Sequence, residues 1–440
     1  MRLSGWGNFP VHTAEVSAPD GEAALVSALQ KGPLIARGNG RAYGDSAVNR
    51  LNTVQMRRFD RMLSFDADSG LLVAEAGVLL GDVIEAFLPL GWFPAVTPGT
   101  KFVTLGGMVA ADVHGKNHHK VGSFRSCVSW LDLMGADGQV RRCAPDRHAE
   151  LFDWTLGGMG LTGIVLRVAI RLTPVETAWI RQETRIAANL DAAMDLFEAS
   201  HDATYSVAWI DCLSGGAQRG RSIVMLGEHA TLADLDRKQA RAPLSVPRKR
   251  PKSVPLTPPA GLLNGLTVRA FNALYYRNGQ RNAGTRLVDW DSYFYPLDAI
   301  LGWNRIYGRK GFMQFQCALP LERSREGLTA LLKAISAAGA GSFLAVLKRF
   351  GPQDGRFSFP VPGYTLALDF PVTARTRRLM ERLDGITIAH GGRFYLAKDS
   401  RMSAETLRLS DPRAEAFAQA RKDFAARESF ASLQSERLAI

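Results

Sequence analysis

A chain of 440 residues is too long for one ordinary core, and 46% hydrophobic with 22% charged residues excludes a disordered protein. Its 54 basic against 42 acidic side chains give a net charge of +12, which favours anionic partners: phosphorylated substrates, nucleic acid or an acidic membrane surface. Four scattered cysteines (Cys127, Cys143, Cys212, Cys317), with no Cys-x-x-Cys pair, exclude a structural zinc site and a disulfide framework.

The opening MRLSGWGNFP has no apolar run after its arginine, so no signal peptide is expected. No stretch approaches the roughly 18 uninterrupted apolar residues of a membrane span. A soluble or peripherally membrane-bound protein is expected, on a membrane side that the sequence does not specify. DGEAALVSALQ, from Asp20, spaces apolar residues at helical period behind an aspartate that can cap it. PLIARGNGRAYGD reads as a short buried strand entering a glycine loop, and LLVAEAGV as a strand. LLGDVIEAFLPLG is a helix with Leu80, Val83, Ile84 and Phe87 on one face. The Asp-Gly pair in GADGQVRR predicts a hairpin, and GIVLRVAIRLTP a strand closed by Pro174.

From about residue 177 to 392 the texture changes. Helices (NLDAAMDLFEAS, REGLTALLKAISAAG, TRRLMERL) alternate with strands (YSVAWID, GFMQFQCALP, SFLAVLKRF, YTLALDFPV), which predicts an α+β domain of antiparallel sheet backed by helices. Within it RKQARAPLSVPRKRPKSVPLTPP, near 237–260, is rich in proline and basic residues and is expected to be a mobile loop able to meet an anionic membrane.

Three glycine motifs differ in weight. GMGLTG (158–163) matches G-x-G-x-x-G, but a β-branched strand follows it where a dinucleotide fingerprint needs a helix. RGNGRAYGD (37–45) follows a strand, where bare backbone N–H groups can curl around a diphosphate; an ordinary glycine-rich turn is the bland alternative. PGTKFVTLGGMVAADVHG adds Gly106 and Gly107 ahead of DVHGKNHHK, which holds three of the chain's eight histidines. His114 and His118 are four apart, yet Gly115 argues against a helix and no acidic residue follows at a familiar ligand spacing, so no metal is assigned. A polar surface loop is the alternative from the residues alone.

Together these segments resemble the FAD-binding domain of the vanillyl-alcohol oxidase superfamily, the PCMH-type fold. Within it the likeness is to the branch that oxidises polyprenylphosphoryl ribose, the flavoenzyme half of a ribose-to-arabinose epimerase. GWG, IARGNGRAYGD, VTPGT, HGKNHH, GGMGLTGI, WNRIYG, GFMQFQ, LKRFGP, SFPVPGY, GGRFYLAKDSR and AETL carry the resemblance, in order from residue 4 to residue 407.

The resemblance implies a two-domain α+β fold, with residues 1–176 and 393–440 forming the flavin domain and 177–392 an inserted substrate domain. It implies FAD held by Arg37, Gly38, Asn39, Gly40, Arg41, Ala42, Tyr43, Gly44, Gly99, Thr104, Leu105, Gly106, Gly107, Ala111, His114, Gly163, Val165 and Tyr395. Covalent relatives carry histidine where Arg41 stands, so non-covalent FAD is expected. The substrate, a polyprenyl-phosphate-linked pentose, would meet Tyr43, Lys116, Trp209, Gln314, Gln316, Lys348, Phe350, Thr365 and Ala367. Lys398 would stabilise or receive the hydroxyl proton, and His114 would orient the sugar. Well-known members carry cysteine at 367 and asparagine at 365, so the sugar pocket is expected to differ in shape. The resemblance also implies an NAD-dependent ketoreductase partner and no nucleic acid. A soluble sugar or aldonolactone oxidase is the alternative enzyme, and a basic membrane- or nucleic-acid-binding protein the alternative class.

Overall fold

The computed structural model describes residues 1–247, 252–254 and 264–440. Two antiparallel sheets carry the fold. The first orders its strands Val140–Cys143, Val128–Met134, Ile164–Pro174, Leu71–Glu75 and Met62–Asp66, with Trp92–Pro94 also pairing to the long Ile164–Pro174 strand. That strand is apolar nearly throughout because it faces two cores. Val165, Val168 and Ile170 pack with the helices Leu80–Phe87 and Leu105–Ala111, whereas Ile164 and Leu166 pack with Leu25, Val54 and Phe430.

The local readings fare well where a turn or a period dictates them. Gly138 has φ +74° between Val128–Met134 and Val140–Cys143, which pair as the expected hairpin. The helix Leu80–Phe87 buries Leu80, Val83, Ile84 and Phe87. GMGLTG turns directly into Ile164–Pro174 without a helix. One cap differs: the helix Glu22–Leu29 starts behind Gly21 with no side-chain cap, because Asp20 lies one residue too early.

The second sheet has eight strands in the order Gly284–Asp289, Trp179–Ala187, Ser222–His229, Tyr205–Ile210, Ala345–Phe350, Gly363–Pro371, Phe312–Pro320 and Arg393–Phe394. One face is packed by the helices Leu190–Ala199, Leu321–Ala338 and Ala374–Ala389 around Phe197, Leu331, Leu366 and Leu383. The opposite face turns toward the first sheet and carries the polar alternates of the same strands. Arg393–Phe394 pairs with Phe312–Pro320, so this sheet runs two residues past the expected limit at 392. Of the expected basic loop, Gln239–Arg241 forms a short helical turn and Lys252–Ser253 pairs with Ile300–Leu301. Residues 248–251 and 255–260 of that loop lie outside the described residues. Among the described residues no helix is long and apolar enough to cross a membrane.

The chain end packs back against the first body. Phe417 and Leu438 join Ile35, Trp154 and Leu161, and Phe430 joins Leu25 and Leu34. At this seam Arg421 is fully buried, its guanidinium donating to the carbonyls of Leu161 (3.1 Å), Phe430 and Ile440. Arg421→Met would strand three buried acceptors, each worth about 1–3 kcal/mol. We expect the urea midpoint at saturating FAD to fall by the equivalent of about 3 kcal/mol or more.

Candidate active site

The first half of the site is built from backbone. Strand Ile35–Arg37 ends in the 38–44 loop. Among the described residues, the N–H groups of Gly38, Asn39, Gly40, Arg41 and Ala42 donate to no protein acceptor. Five adjacent free donors form a concavity suited to a diphosphate. Arg37 holds the loop open from behind, donating to Ser4 O (2.7 Å) and Ala47 O (3.1 Å). Gly40 has φ +64°, and a Cβ there would lie 2.6 Å from the Arg37 guanidinium. A Cβ on Gly38 would lie 2.1 Å from Thr104 Oγ1, so this loop and the Thr104–Gly107 segment touch. Thr104 caps its helix by accepting from Gly107 N, and Asn39 Nδ2 donates to Phe102 O (2.8 Å). These residues fit an FAD pyrophosphate. Leu105 and Val165 instead bury their side chains in the first core, Gly163 lies against Leu133 and Met134, and Gly99 stands in open space.

The second half comes from the open face of the eight-stranded sheet. Strand alternation puts Gln314 and Gln316, Thr365 and Ala367, and Lys348 and Phe350 on this face. Register then aligns Gln316, Ala367, Val346 and Trp209 in one row, with Thr365 beside Lys348 and Gln314 beside Asp369 in the flanking rows. Gln316 Nε2 donates to Thr365 Oγ1 (3.2 Å) and meets His114 Nε2 (3.2 Å), while Thr365 Oγ1 donates to Cys317 O (2.8 Å). An amide N–H facing His114 Nε2 makes that nitrogen the acceptor and assigns the proton to Nδ1, which has no protein partner among the described residues. The ring is enclosed by Phe350 (4.8 Å), Tyr395 (5.1 Å) and Phe359 (5.7 Å). Burial, then the Lys348 charge, holds His114 well below its ordinary pKa, so it is neutral.

Three lysines enter the same cleft. Lys398 Nζ sits 3.7 Å from the Tyr43 ring centroid, and Tyr43 N donates to Ala397 O (2.9 Å). Burial depresses the Lys398 amine, Asp369 opposes this and Lys348 adds to it. The Asp369 carboxyl, taking a hydrogen bond from Gln314 Nε2 (2.6 Å), is raised by burial. Burial lowers Lys348 to about 8 and, with help from Lys348, lowers Lys116 to about 7. All three lysines are only half-buried by accessible surface. The amines thus line a deep cleft, reachable by solvent yet surrounded by protein.

Several expected positions fall elsewhere. Lys116 already donates to Tyr293 O and lies 4.1 Å from that ring's centroid, so it is a secondary cation of the cleft. Trp209 is three strands from Gln316, donating to Phe343 O (2.9 Å) beneath the helix Gly265–Arg281. His118 is a bracket between Gly351 N (3.2 Å) and Gln353 Oε1 (2.8 Å), and His119 bonds Ala203 O (2.8 Å). Among the described residues no three His, Cys, Asp or Glu side chains converge as a metal site. Asp369 went unrecognised from the sequence. It stands two residues beyond Ala367, so strand alternation from Thr365 and Ala367 was the available signal.

Residues 14–144 match the family model described as an FAD binding domain. Decaprenylphosphoryl-beta-D-ribose oxidase of Mycolicibacterium smegmatis is 37% identical over an alignment that takes in 100% of this chain and 97% of that protein. The chain belongs to the decaprenylphosphoryl-ribose oxidase family. It is an FAD-dependent oxidoreductase with an α+β fold. More distant relatives align over about a third of it: cytokinin dehydrogenase 3 of Oryza sativa subsp. japonica (28% identical; 39% of this chain, 35% of that protein) and L-gulonolactone oxidase of Mus musculus (27%; 35% and 36%).

Arg41 lies over Trp6 (4.2 Å) and near Phe102 (5.2 Å) and offers no imidazole for a flavin bond. FAD is therefore expected in the supernatant after acid precipitation; flavin retained in the pellet would refute this. Gly38→Val should purify with at most about a tenth of the wild-type flavin absorbance, because the added side chain forces Thr104 and the glycine loop apart.

Proposed function

We propose that this oxidase converts a secondary ribosyl hydroxyl of a polyprenylphosphoryl ribose to the 2-keto intermediate, the first half of an epimerisation to arabinose. The observation that supports this is the charge of the cleft. Lys348 acts on both Lys398 and Lys116, while of the three only Lys398 feels the Asp369 carboxyl, beside the neutral Gln316–His114 pair. Buried cations without matching anions favour a substrate that brings its own negative charge, as a phosphodiester-linked sugar does and a free sugar or lactone does not.

When bound, FAD supplies the acceptor for the hydride, and with it the two electrons, of the alcohol carbon. The chain's residues do the rest. Gln316, fixed by Thr365 and His114, presents an amide to the sugar. His114 offers its Nδ1–H as a further donor. Lys398, depressed by burial, accepts the hydroxyl proton on Nζ, with the Asp369 carboxyl near enough to steady the ammonium that results. Lys348 lies one row from Gln316 and meets the phosphate, with Lys116 behind it. The ketone product calls for a separate NAD-dependent reductase, and a lipid-linked substrate for access to a bilayer.

Lys398→Met should keep its flavin and lose about 10²–10⁴-fold in anaerobic flavin reduction. The neutral amine is the active form and accumulates as pH rises. Wild-type reduction should therefore climb with pH through a limb well below lysine's ordinary 10.5 and then level off. In Lys398→Met that limb should vanish. A near-normal rate, or an unchanged limb, would remove Lys398 from the chemical step.

Stopped-flow bleaching should be at least about 10²-fold more efficient with a short prenylphosphoryl ribose than with free ribose, arabinose or an aldonolactone, since two charged contacts at about 1.5–3 kcal/mol each are lost. Lys348→Met should raise KM for the phosphate-linked sugar while sparing the slow reaction of the free one. Equal bleaching by a free sugar or lactone would favour the soluble-oxidase reading.

A further inference from the structure

The helix Gly265–Arg281 buries Val268, Asn272 and Tyr276 and leaves large apolar side chains outside. Its sheet-facing side carries polar anchors: Asn272, fully buried, donates to Asp211 Oδ1 (2.8 Å), and Tyr276 OH donates to Ala187 O (3.1 Å). Gly279 lets the helix approach Ile223, where a Cβ would lie 2.4 Å away. Its outer side instead shows Leu266 at 81% exposure, Leu274 at 70%, Phe271 at 43% and Tyr275 at 39%. A helix that buries one valine, one asparagine and one tyrosine and leaves two leucines and a phenylalanine in water is displaying an apolar surface to something.

That surface is continuous with the active site. Tyr275 packs on Trp209 (4.9 Å) and stacks with Phe271 (5.7 Å). Trp209 ends the row Val346, Ala367, Gln316 across the open sheet face, a run of roughly 14 Å at the usual strand spacing. A second line of rings joins the same helix to the chemistry. Phe271 meets Phe343 (5.7 Å), Phe343 stacks on Tyr307 (5.8 Å), Tyr307 on Phe312 (4.4 Å), and Phe312 meets Tyr43 beneath Lys398 (5.4 Å).

We propose that Trp209 and the outer face of Gly265–Arg281 form a track for the isoprenoid chain of the substrate, leading from the phosphate cations to the protein surface. This rests on the prenyl-phosphate reading above. The sequence of chemistries supports it: the row begins at the hydrogen-bonding Gln316, with the Lys348 cation in the row beside it, and continues through Ala367 and Val346 to Trp209 with only apolar and aromatic side chains. Trp209 thus serves the lipid end of the substrate and not the sugar.

The test is binding of geranyl, farnesyl and geranylgeranyl monophosphate, below their micellar concentrations, to the FAD-loaded enzyme by titration calorimetry. Affinity should rise with each isoprene unit in the wild type. In the Phe271→Ser/Leu274→Ser double variant, whose changes lie on the exposed face, geranylgeranyl phosphate should bind about tenfold more weakly and geranyl phosphate within about twofold of wild type. Chain-length dependence that survives in the double variant, or that is absent from the wild type, overturns the track. So does an equal loss at all three lengths, which would mean a distorted site. A variant that keeps its length dependence but loses co-sedimentation with anionic vesicles, or loses self-association in the ultracentrifuge, assigns the face to a bilayer or a second copy instead. Failure of the substrate reading looks different: no prenylphosphoryl ribose bleaches the flavin, yet prenyl phosphates still bind with length-dependent affinity.

Discussion

The amide of Tyr43 donates to the carbonyl of Ala397, the amide of Tyr395 donates to the carbonyl of Gln316, and the Tyr395 hydroxyl donates to the carbonyl of Ala111. Through these three bonds one short segment of chain is tied to the glycine loop, to the substrate sheet and to the helix that precedes His114. Lys398 hangs from this segment, so its position over Tyr43 is set by backbone and not by the preferences of a flexible side chain. The clamp is itself held from beyond: Arg437 pairs with both Asp399 (3.0 Å) and Asp45 (2.6 Å), fastening the chain end to the loop that follows the glycines. A site assembled from two sheets needs such a tie, because errors of about 1 Å between reacting groups are costly in rate.

The electrostatics follow from that geometry. Closing the two sheets on each other desolvates Lys116, Lys348 and Lys398 together; the Lys348 charge lowers His114, Lys116 and Lys398 further, and the Lys398 charge lowers His114. The Asp369 carboxyl acts on Lys398, and its own burial raises it. The unliganded cleft is thus short of negative charge. An arriving anion would relieve this and shift the lysines back toward their charged forms, so that Lys116 and Lys348 hold a phosphate best in the state where they hold one at all. Lys398 must escape that effect to act as a proton acceptor. Its place over the Tyr43 ring, on the opposite side of the sheet row from Trp209, keeps it toward the sugar end.

Much of this was legible because it is local. The Asp137–Gly138 hairpin, the amphipathic face of Leu80–Phe87 and the pairing of Gln314 with Gln316 on one face each follow from a turn dipeptide or a period of two or 3.6. The glycine loop was legible as a class of feature, but the reason for Gly38 was not: its nearest obstacle is Thr104, 66 residues on, a contact no spacing rule contains. The same holds for Lys116, whose amine donates to the Tyr293 carbonyl in the short helix Trp290–Phe294, far along the chain. Trp209 shows the limit most plainly. The resemblance implies a substrate-binding position there, and only the cross-strand register reveals that it stands three strands from Gln316, at the far end of a row.

That register also bears on the two departures from the better-known members of the family. Ala367 is the floor of the row between Gln316 and Val346, and Thr365 is the partner that orients Gln316 while bonding Cys317 O. The two positions therefore do different work. A methyl at 367 contributes no hydrogen bond and sets only the depth of the floor, so a smaller or larger side chain there alters how far a ligand sinks toward the sheet. On the proposed reading Thr365 would act on the sugar through Gln316, because its single hydroxyl is already committed to the backbone on one side and to the amide on the other. A side chain with two polar ends at 365 would hold Gln316 differently and could reach the ligand itself. Differences in sugar preference within the family should thus follow residue 365, acting through Gln316 and its bond to His114, and differences in the bulk tolerated against the sheet should follow residue 367.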